Sequence, residues 1–163
     1  MPLGRVNSSG FVYPGIEYKF VSRMNPAIKL SLAASGIFLL TGLLSGILKY
    51  SRIMSSAEHR APVYVDIAHR AALLYSFASL VIARLLEYSP YSVRVQFWAA
   101  AVPLAFFAIT IAGYIAHGLK DDTDNIFRER NFTTTWYMYA LILGEVGGFA
   151  IILWGFLSTQ VFG

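Results

Sequence analysis

The chain has 163 residues, of which 56% are hydrophobic and 13% are charged. A soluble domain carries roughly twice that charged fraction, so the composition argues against an ordinary water-soluble fold. There is no cysteine, which excludes disulfides, thiolate metal sites and a cysteine nucleophile. The net charge of +4 is scattered, and no basic run of the kind that grips nucleic acid occurs. We therefore expect no nucleic-acid partner.

The first 26 residues are predicted to form a polar and aromatic tail ahead of the helical domain. They contain no apolar stretch of the kind found in a cleaved signal peptide. Their aromatic side chains are of the type that lies at membrane interfaces, namely Phe11, Tyr13, Tyr18 and Phe20. We expect this tail to be ordered or partly ordered against the membrane surface.

Four apolar segments follow the tail, and each is long enough to cross a bilayer as a helix of about 20 residues. They are predicted as helices over residues 27–50, 63–86, 95–119 and 133–159. The predicted fold class is therefore all-α, an integral membrane four-helix bundle within residues 27–163. Pro103 is expected to kink the third helix, because a proline in a helix interior removes a backbone hydrogen bond. Basic residues divide almost evenly between the two sides, so the positive-inside rule does not fix the orientation.

The start of the second segment carries the first candidate site. Imidazole ligates haem iron and other transition metals, which makes His69 a candidate cofactor ligand. Asp66 is spaced to accept a hydrogen bond from the other ring nitrogen of His69 and so fix its tautomer. Arg70 is a candidate partner for a haem propionate. The alternative is purely structural, because Asp66 and Arg70 also have the spacing of an i, i+4 ion pair.

Two more histidines are expected at the same end of the bundle. His117, near the end of the third segment, is predicted at a depth similar to that of His69, and could close the sixth position of the same iron. Such a second ligand would turn an open catalytic iron into an electron carrier. His59 lies in the loop above them. Aromatic residues on the second and third helices could wall a flat cofactor or an aromatic substrate, namely Tyr75, Phe77, Phe106, Phe107 and Tyr114.

The fourth segment contains a single acid, Glu145, predicted near the middle of the membrane. An acid at that depth is a functional candidate, and a proton or ion pathway is one hypothesis for it. The alternative is a protonated side chain that is hydrogen-bonded within the bundle. Gly144, Gly147 and Gly148 predict close helix packing, possible also between subunits.

Taken together, these features resemble one known family, the styrene oxide isomerases, small four-helix membrane enzymes that contain haem and assemble as trimers. The resemblance covers about residues 62–160 and is one of layout: Ala68-His69 near the start of the second helix, an aromatic-rich third helix and a glycine-bearing fourth helix. It implies haem b bound between subunits, with His69 as the iron ligand. It also implies that the open iron face acts as a Lewis acid, which converts an epoxide into an aldehyde.

The sequence departs from that family in the predicted pocket. Tyr75 stands where the family has an asparagine six residues after the histidine, and Tyr114 is the nearest counterpart of the family's tyrosine on the third helix. The catalytic candidates are therefore Tyr75, Tyr114 and Glu145. Because the polar residues that hold the substrate differ, the resemblance favours a shared cofactor over a shared reaction.

A second, weaker similarity is to the trimer-forming subunit of photosystem I, in which a histidine binds chlorophyll. It rests on Ala68-His69, Leu73-Leu74-Tyr75 and Gly147-Gly148-Phe149, but that family has three helices. It supports an alternative function, a non-catalytic accessory subunit of a membrane oxidoreductase or pigment–protein complex. In either case we expect a lipid bilayer and a homo-oligomer or larger complex as partners, in the cytoplasmic membrane of a prokaryote.

Overall fold

The computed structural model describes residues 24–163, so the aromatic tail predicted at the N-terminus lies outside the described residues. Four long helices are present, and a π-helical turn over Thr133–Tyr137 leads into the last of them. The helices are α1 (Pro26–Ser55), α2 (Val63–Leu86), α3 (Val93–Lys120) and α4 (Met138–Gln160). No strand occurs within residues 24–163. The predicted all-α four-helix fold is thereby confirmed.

All four helical segments are long and apolar enough to cross a bilayer, and the π-helical turn extends the fourth of them to Thr133–Gln160. The protein is accordingly a multi-pass integral membrane protein. Large apolar side chains cover its outer surface, for example Leu143 and Leu74, which are 75% and 69% exposed. Such exposure is unfavourable in water but matches a hydrocarbon environment.

The first helix begins at a well-defined cap. The side chain of Asn25 accepts a hydrogen bond from the backbone N–H of Ala27 at 2.9 Å, and Pro26 occupies the first helical position. The same Asn25 side chain donates to Gln96 near the start of α3. At its other end α1 continues to Ser55, beyond the predicted end at residue 50. The predicted end follows the charged residues that close the apolar segment. The helix itself ends only where the backbone leaves the helical conformation.

Helices α2 and α3 form the centre of the bundle. They pack against each other, while α1 packs on both of them and α4 packs mainly on α3. Within residues 24–163, α1 and α4 make no contact. The two outer helices therefore lie on opposite sides of the central pair, and each borders a different face of α2 and α3.

The central helix α2 presents two distinct faces. The face toward α1 repeats every three to four residues, as expected for one side of an α-helix, and consists of Asp66, His69, Leu73 and Ser76. The face toward α3 includes Val65, which lies against Gly118, and Tyr75, which stacks on Phe107. His69 and Tyr75 consequently point toward different neighbours.

Helices α3 and α4 approach each other closely at Gly148. A Cβ atom added there would lie 2.7 Å from the carbonyl oxygen of Ala99 and 2.8 Å from Cδ of Pro103. Pro103 is fully buried, and α3 continues through it to Lys120. The predicted close packing at Gly148 thus involves the proline of the neighbouring helix, while Gly147 faces open space.

Candidate functional site

The ring of His69 is held by a single backbone carbonyl on α1. Its Nδ1 lies 2.8 Å from the carbonyl oxygen of Gly42. Because a carbonyl oxygen can only accept, Nδ1 must carry the hydrogen and donate it. The neutral ring then has its lone pair on Nε2, which is the form that binds a metal. Among residues 24–163, no hydrogen bond uses Nε2.

A second glycine on α1 makes room for this ring. A Cβ atom added at Gly46 would lie 3.0 Å from Cε1 of His69 and 3.3 Å from its Nδ1. Few real Cβ atoms come so close to a neighbour, so a larger residue at position 46 would push the ring away. The Gly42 carbonyl and the gap at Gly46 together define the position of the imidazole.

The carboxylate of Asp66 is occupied by two cations. Lys49 on α1 lies 2.6 Å from one oxygen, and Arg70 lies 2.6 Å from the other. His69 therefore does not donate the predicted hydrogen bond to Asp66. It donates to the Gly42 carbonyl instead. The i, i+4 pair of Asp66 with Arg70, predicted as the structural alternative, is present. Any role of Asp66 or Arg70 toward a cofactor stays a prediction.

The remaining histidines do not join His69. The Nδ1 of His117 lies 2.9 Å from a carboxylate oxygen of Asp122, and its ring centre is 5.6 Å from that of Tyr64. His59 is exposed in the loop between α1 and α2. His69 thus faces α1 and His117 faces the loop after α3, and a shared iron between them stays a prediction. No group of three or more metal-binding side chains occurs within the described part of the chain.

The loop over residues 121–132 is attached to the bundle at two points. Asp121 ends α3 in the left-handed conformation, with φ at 52°, which turns the chain back so that Asp122 meets His117. This hydrogen bond from His117 lowers the pKa of Asp122 below its ordinary value. The backbone N–H of Ile126 donates to the hydroxyl of Tyr64 on α2 at 2.8 Å. Both contacts hold the loop over the end of α3.

Beneath this loop lies a cavity of about 750 Å³ between α3 and the start of the fourth span. Its volume is within the roughly 300–1,000 Å³ typical of small-molecule sites. Two of the catalytic candidates, Tyr75 and Tyr114, line it, whereas Phe77 is 67% exposed on the outer surface. The cavity lining also includes Thr110, Gly113, His117, Arg128, Glu129 and Tyr137.

Two buried hydroxyl groups in the cavity wall lack a partner. Neither Thr110 Oγ1 nor the Tyr137 hydroxyl has a hydrogen bond among the described residues, and the same is true of one carboxyl oxygen of Glu145. Glu145 lies on α4 and is not among the residues that line the cavity. A buried polar group left unpaired costs about 1–3 kcal/mol, so such groups in a native fold need an explanation.

Sequence reasoning missed Thr110 and Tyr137. The sequence favours Tyr137 as an interface anchor, together with its neighbour Trp136, because both lie near a helix end. The structure distinguishes them, since Trp136 is exposed and Tyr137 lines the cavity. Tyr137 is the last residue of the π-helical turn, and such turns frequently occur at functional sites.

Comparisons with protein-family models, with curated proteins and with solved structures return no match to this chain. The resemblance to the styrene oxide isomerases therefore stays a prediction from the sequence, as do haem binding and the oligomeric state.

Proposed function

We propose that this membrane protein binds haem b, with His69 as the iron ligand. The observation that carries the proposal is the hydrogen bond from Nδ1 of His69 to the Gly42 carbonyl. It leaves Nε2 as the free lone pair and fixes the orientation of the ring. Histidines that ligate metals almost always donate their other ring N–H to a carbonyl or carboxylate, which also increases their basicity.

The surroundings of His69 fit such a ligand. Gly46 leaves space beside the ring that a Cβ atom would fill. Lys49 and Arg70 both contact Asp66, so this cluster holds one more positive than negative charge. Arg70 has a side chain that is 64% exposed, and an exposed guanidinium is well suited to pair with a haem propionate.

The finer proposal is an isomerase of small lipophilic epoxides, and the sequence resemblance supports it. Haem with an open iron position supplies a Lewis acid for an epoxide oxygen. The chain itself supplies the iron ligand and a water-poor membrane environment. We also propose a homo-oligomer, a trimer by the same resemblance.

The test is the visible spectrum of the detergent-purified protein after haem supplementation. We expect a Soret band that His69→Ala removes and that imidazole restores in His69→Gly. His117→Ala and His59→Ala are the matched controls and should keep the band. A colourless wild type would contradict the proposal, and so would an unchanged band in His69→Ala.

A second variant tests the geometry of the site. Gly46→Val places branched carbon where the His69 ring lies, so we expect haem affinity to fall by at least about tenfold, equivalent to roughly 1.4 kcal/mol. Gly36→Val on the same helix is the control, since a Cβ atom there meets nothing within 4 Å. A colourless protein that co-purifies with other membrane subunits would favour the accessory-subunit alternative.

A further inference from the structure

We propose that the cavity between α3 and the fourth span binds a neutral aromatic molecule that carries a hydrogen-bonding oxygen. This site does not depend on haem, because His69 faces α1 and is not among the residues that line the cavity. The walls of the cavity, its unpaired hydroxyl groups and the position of its charges each indicate such a ligand.

The walls of the cavity fit a flat apolar molecule. Tyr75, Tyr114 and Tyr137 line it together with aliphatic and aromatic side chains from α3, the loop and α4. The Tyr75 ring is already stacked on Phe107, with ring centres 4.1 Å apart and planes 10° from parallel. Tyr75 is thereby fixed as a rigid wall rather than free to fill the space. Aromatic rings bind other rings in offset or edge-to-face contact.

The unpaired hydroxyl groups indicate which hydrogen-bonding groups the bound molecule must carry. Thr110 Oγ1 and the Tyr137 hydroxyl are buried in the wall and have no partner among residues 24–163. Each hydroxyl can both donate and accept. Both oxygens are covered by neighbouring atoms, so each hydroxyl group has to rotate toward the cavity to meet a ligand oxygen. A pure hydrocarbon offers neither group a partner.

The distribution of charge indicates that the molecule is neutral. The lining residues on α2, α3 and α4 include no Asp, Glu, Lys or Arg, and the Nδ1 of His117 is engaged by Asp122. The charged lining residues Arg128 and Glu129 both belong to the loop and have opposite signs. A charged group deeper in the cavity would therefore lose its hydration without a compensating ion.

Photoaffinity labelling of the full-length protein tests this site, with 4-(hydroxymethyl)benzophenone as the neutral probe. We expect saturable labelling that maps to α3 and the start of the fourth span. Unlabelled 2-naphthol should compete for the labelling, whereas naphthalene, which carries no oxygen, and the anion 2-naphthoate should compete more weakly. His69→Ala should label like the wild type, which separates this site from the proposed haem site. Loss of labelling in His69→Ala would overturn the independence of the two sites.

Hydroxyl-deletion variants test the polar contacts. Thr110→Val and Tyr137→Phe are each expected to weaken labelling by about three- to tenfold, the usual effect of losing one hydrogen bond. Thr41→Val and Tyr139→Phe are the matched controls. The Thr41 hydroxyl bonds the Ile37 carbonyl on α1, and Tyr139 is exposed, so neither change should alter labelling. Equal effects of test and control variants would contradict the proposed contacts.

Gly113→Leu tests the cavity itself. Gly113 lines the cavity and a Cβ atom there meets nothing within 4 Å, so leucine fits the helix and fills the space. We expect labelling to be abolished. Gly36→Leu is the control, since position 36 is equally open but lies on α1. Unchanged labelling of Gly113→Leu, or labelling without saturation in the wild type, would overturn the proposal.

Discussion

Two histidines in this protein differ in their chemistry because different groups meet their Nδ1 atoms. Gly42 offers His69 a neutral backbone carbonyl, which is fixed in space by the helix that contains it. Asp122 offers His117 a carboxylate on an exposed loop, which can move and can take up a proton. The first partner suits a permanently oriented ligand. The second suits a contact that responds to pH.

Acid is expected to release the loop over residues 121–132 from α3. The hydrogen bond from His117 lowers the pKa of Asp122, and Lys120 acts in the same direction. A lowered folded-state pKa contributes stability that is fully present above the ordinary value of about 4. That contribution is lost as the pH falls through the lowered value. Hydrogen–deuterium exchange at Ile126 and Phe127, corrected for intrinsic rates, should therefore accelerate below about pH 4.

The variant Asp122→Asn isolates this contact. It should show the faster exchange at neutral pH and lose the acid-dependent step. Asp124→Asn is the control, because among the described residues Asp124 pairs only with exposed Arg128, at 3.6 Å. If the exchange rates in the wild type did not change with pH, the Ile126–Tyr64 hydrogen bond alone would hold the loop.

The adjacent glycines Gly147 and Gly148 on α4 differ in how closely atoms of the neighbouring helix approach them. At Gly148 a Cβ atom would meet Ala99 and Pro103 of α3, whereas at Gly147 it would meet nothing within 4 Å. Gly148→Ala is therefore expected to destabilise the α3–α4 contact by about 1–3 kcal/mol, the usual cost of overpacking. Gly147→Ala should be neutral or slightly stabilising, because alanine favours a helix more than glycine does. Thermal unfolding in detergent compares the two.

Equal melting temperatures of these two variants would contradict the packing described at Gly148. The comparison is clean because the two positions share a helix, a depth in the membrane and a residue type. Only the neighbouring helix distinguishes them.

The number and type of helices can be predicted from the sequence because length and apolar character are local properties. The face of each helix that contacts a given neighbour cannot be predicted in this way, because it depends on how two helices lie side by side. The pairing of Asp66 with Lys49 needs α1 and α2 to be antiparallel in one particular register. Tyr137 lies beside Phe106 of α3, with ring centres 6.0 Å apart, which likewise depends on how two segments lie side by side. These two contacts between helices determine where the candidate residues come together.

The bundle as a whole divides its functional features between two sides of its central pair. His69 and its cations lie on the side of α1, and the cavity lies on the side of α4. Because α1 and α4 make no contact within residues 24–163, no described outer helix closes over both features. Changes on one side should therefore leave the other intact, as expected for residues that are well separated and share no partner.

The membrane topology can be tested directly because the chain contains no cysteine. Four spans place the loop between α1 and α2 and the loop between α3 and α4 on one side. Glu58→Cys and Asp124→Cys should therefore react with an impermeant maleimide from that side, and Ser92→Cys and Val161→Cys only from the other. The fourth span is the critical case, since only 17% of its most apolar window is buried inside the protein. Labelling of Val161→Cys together with Asp124→Cys would mean that this helix lies along the interface, and the cavity beside it would then open to water rather than to lipid.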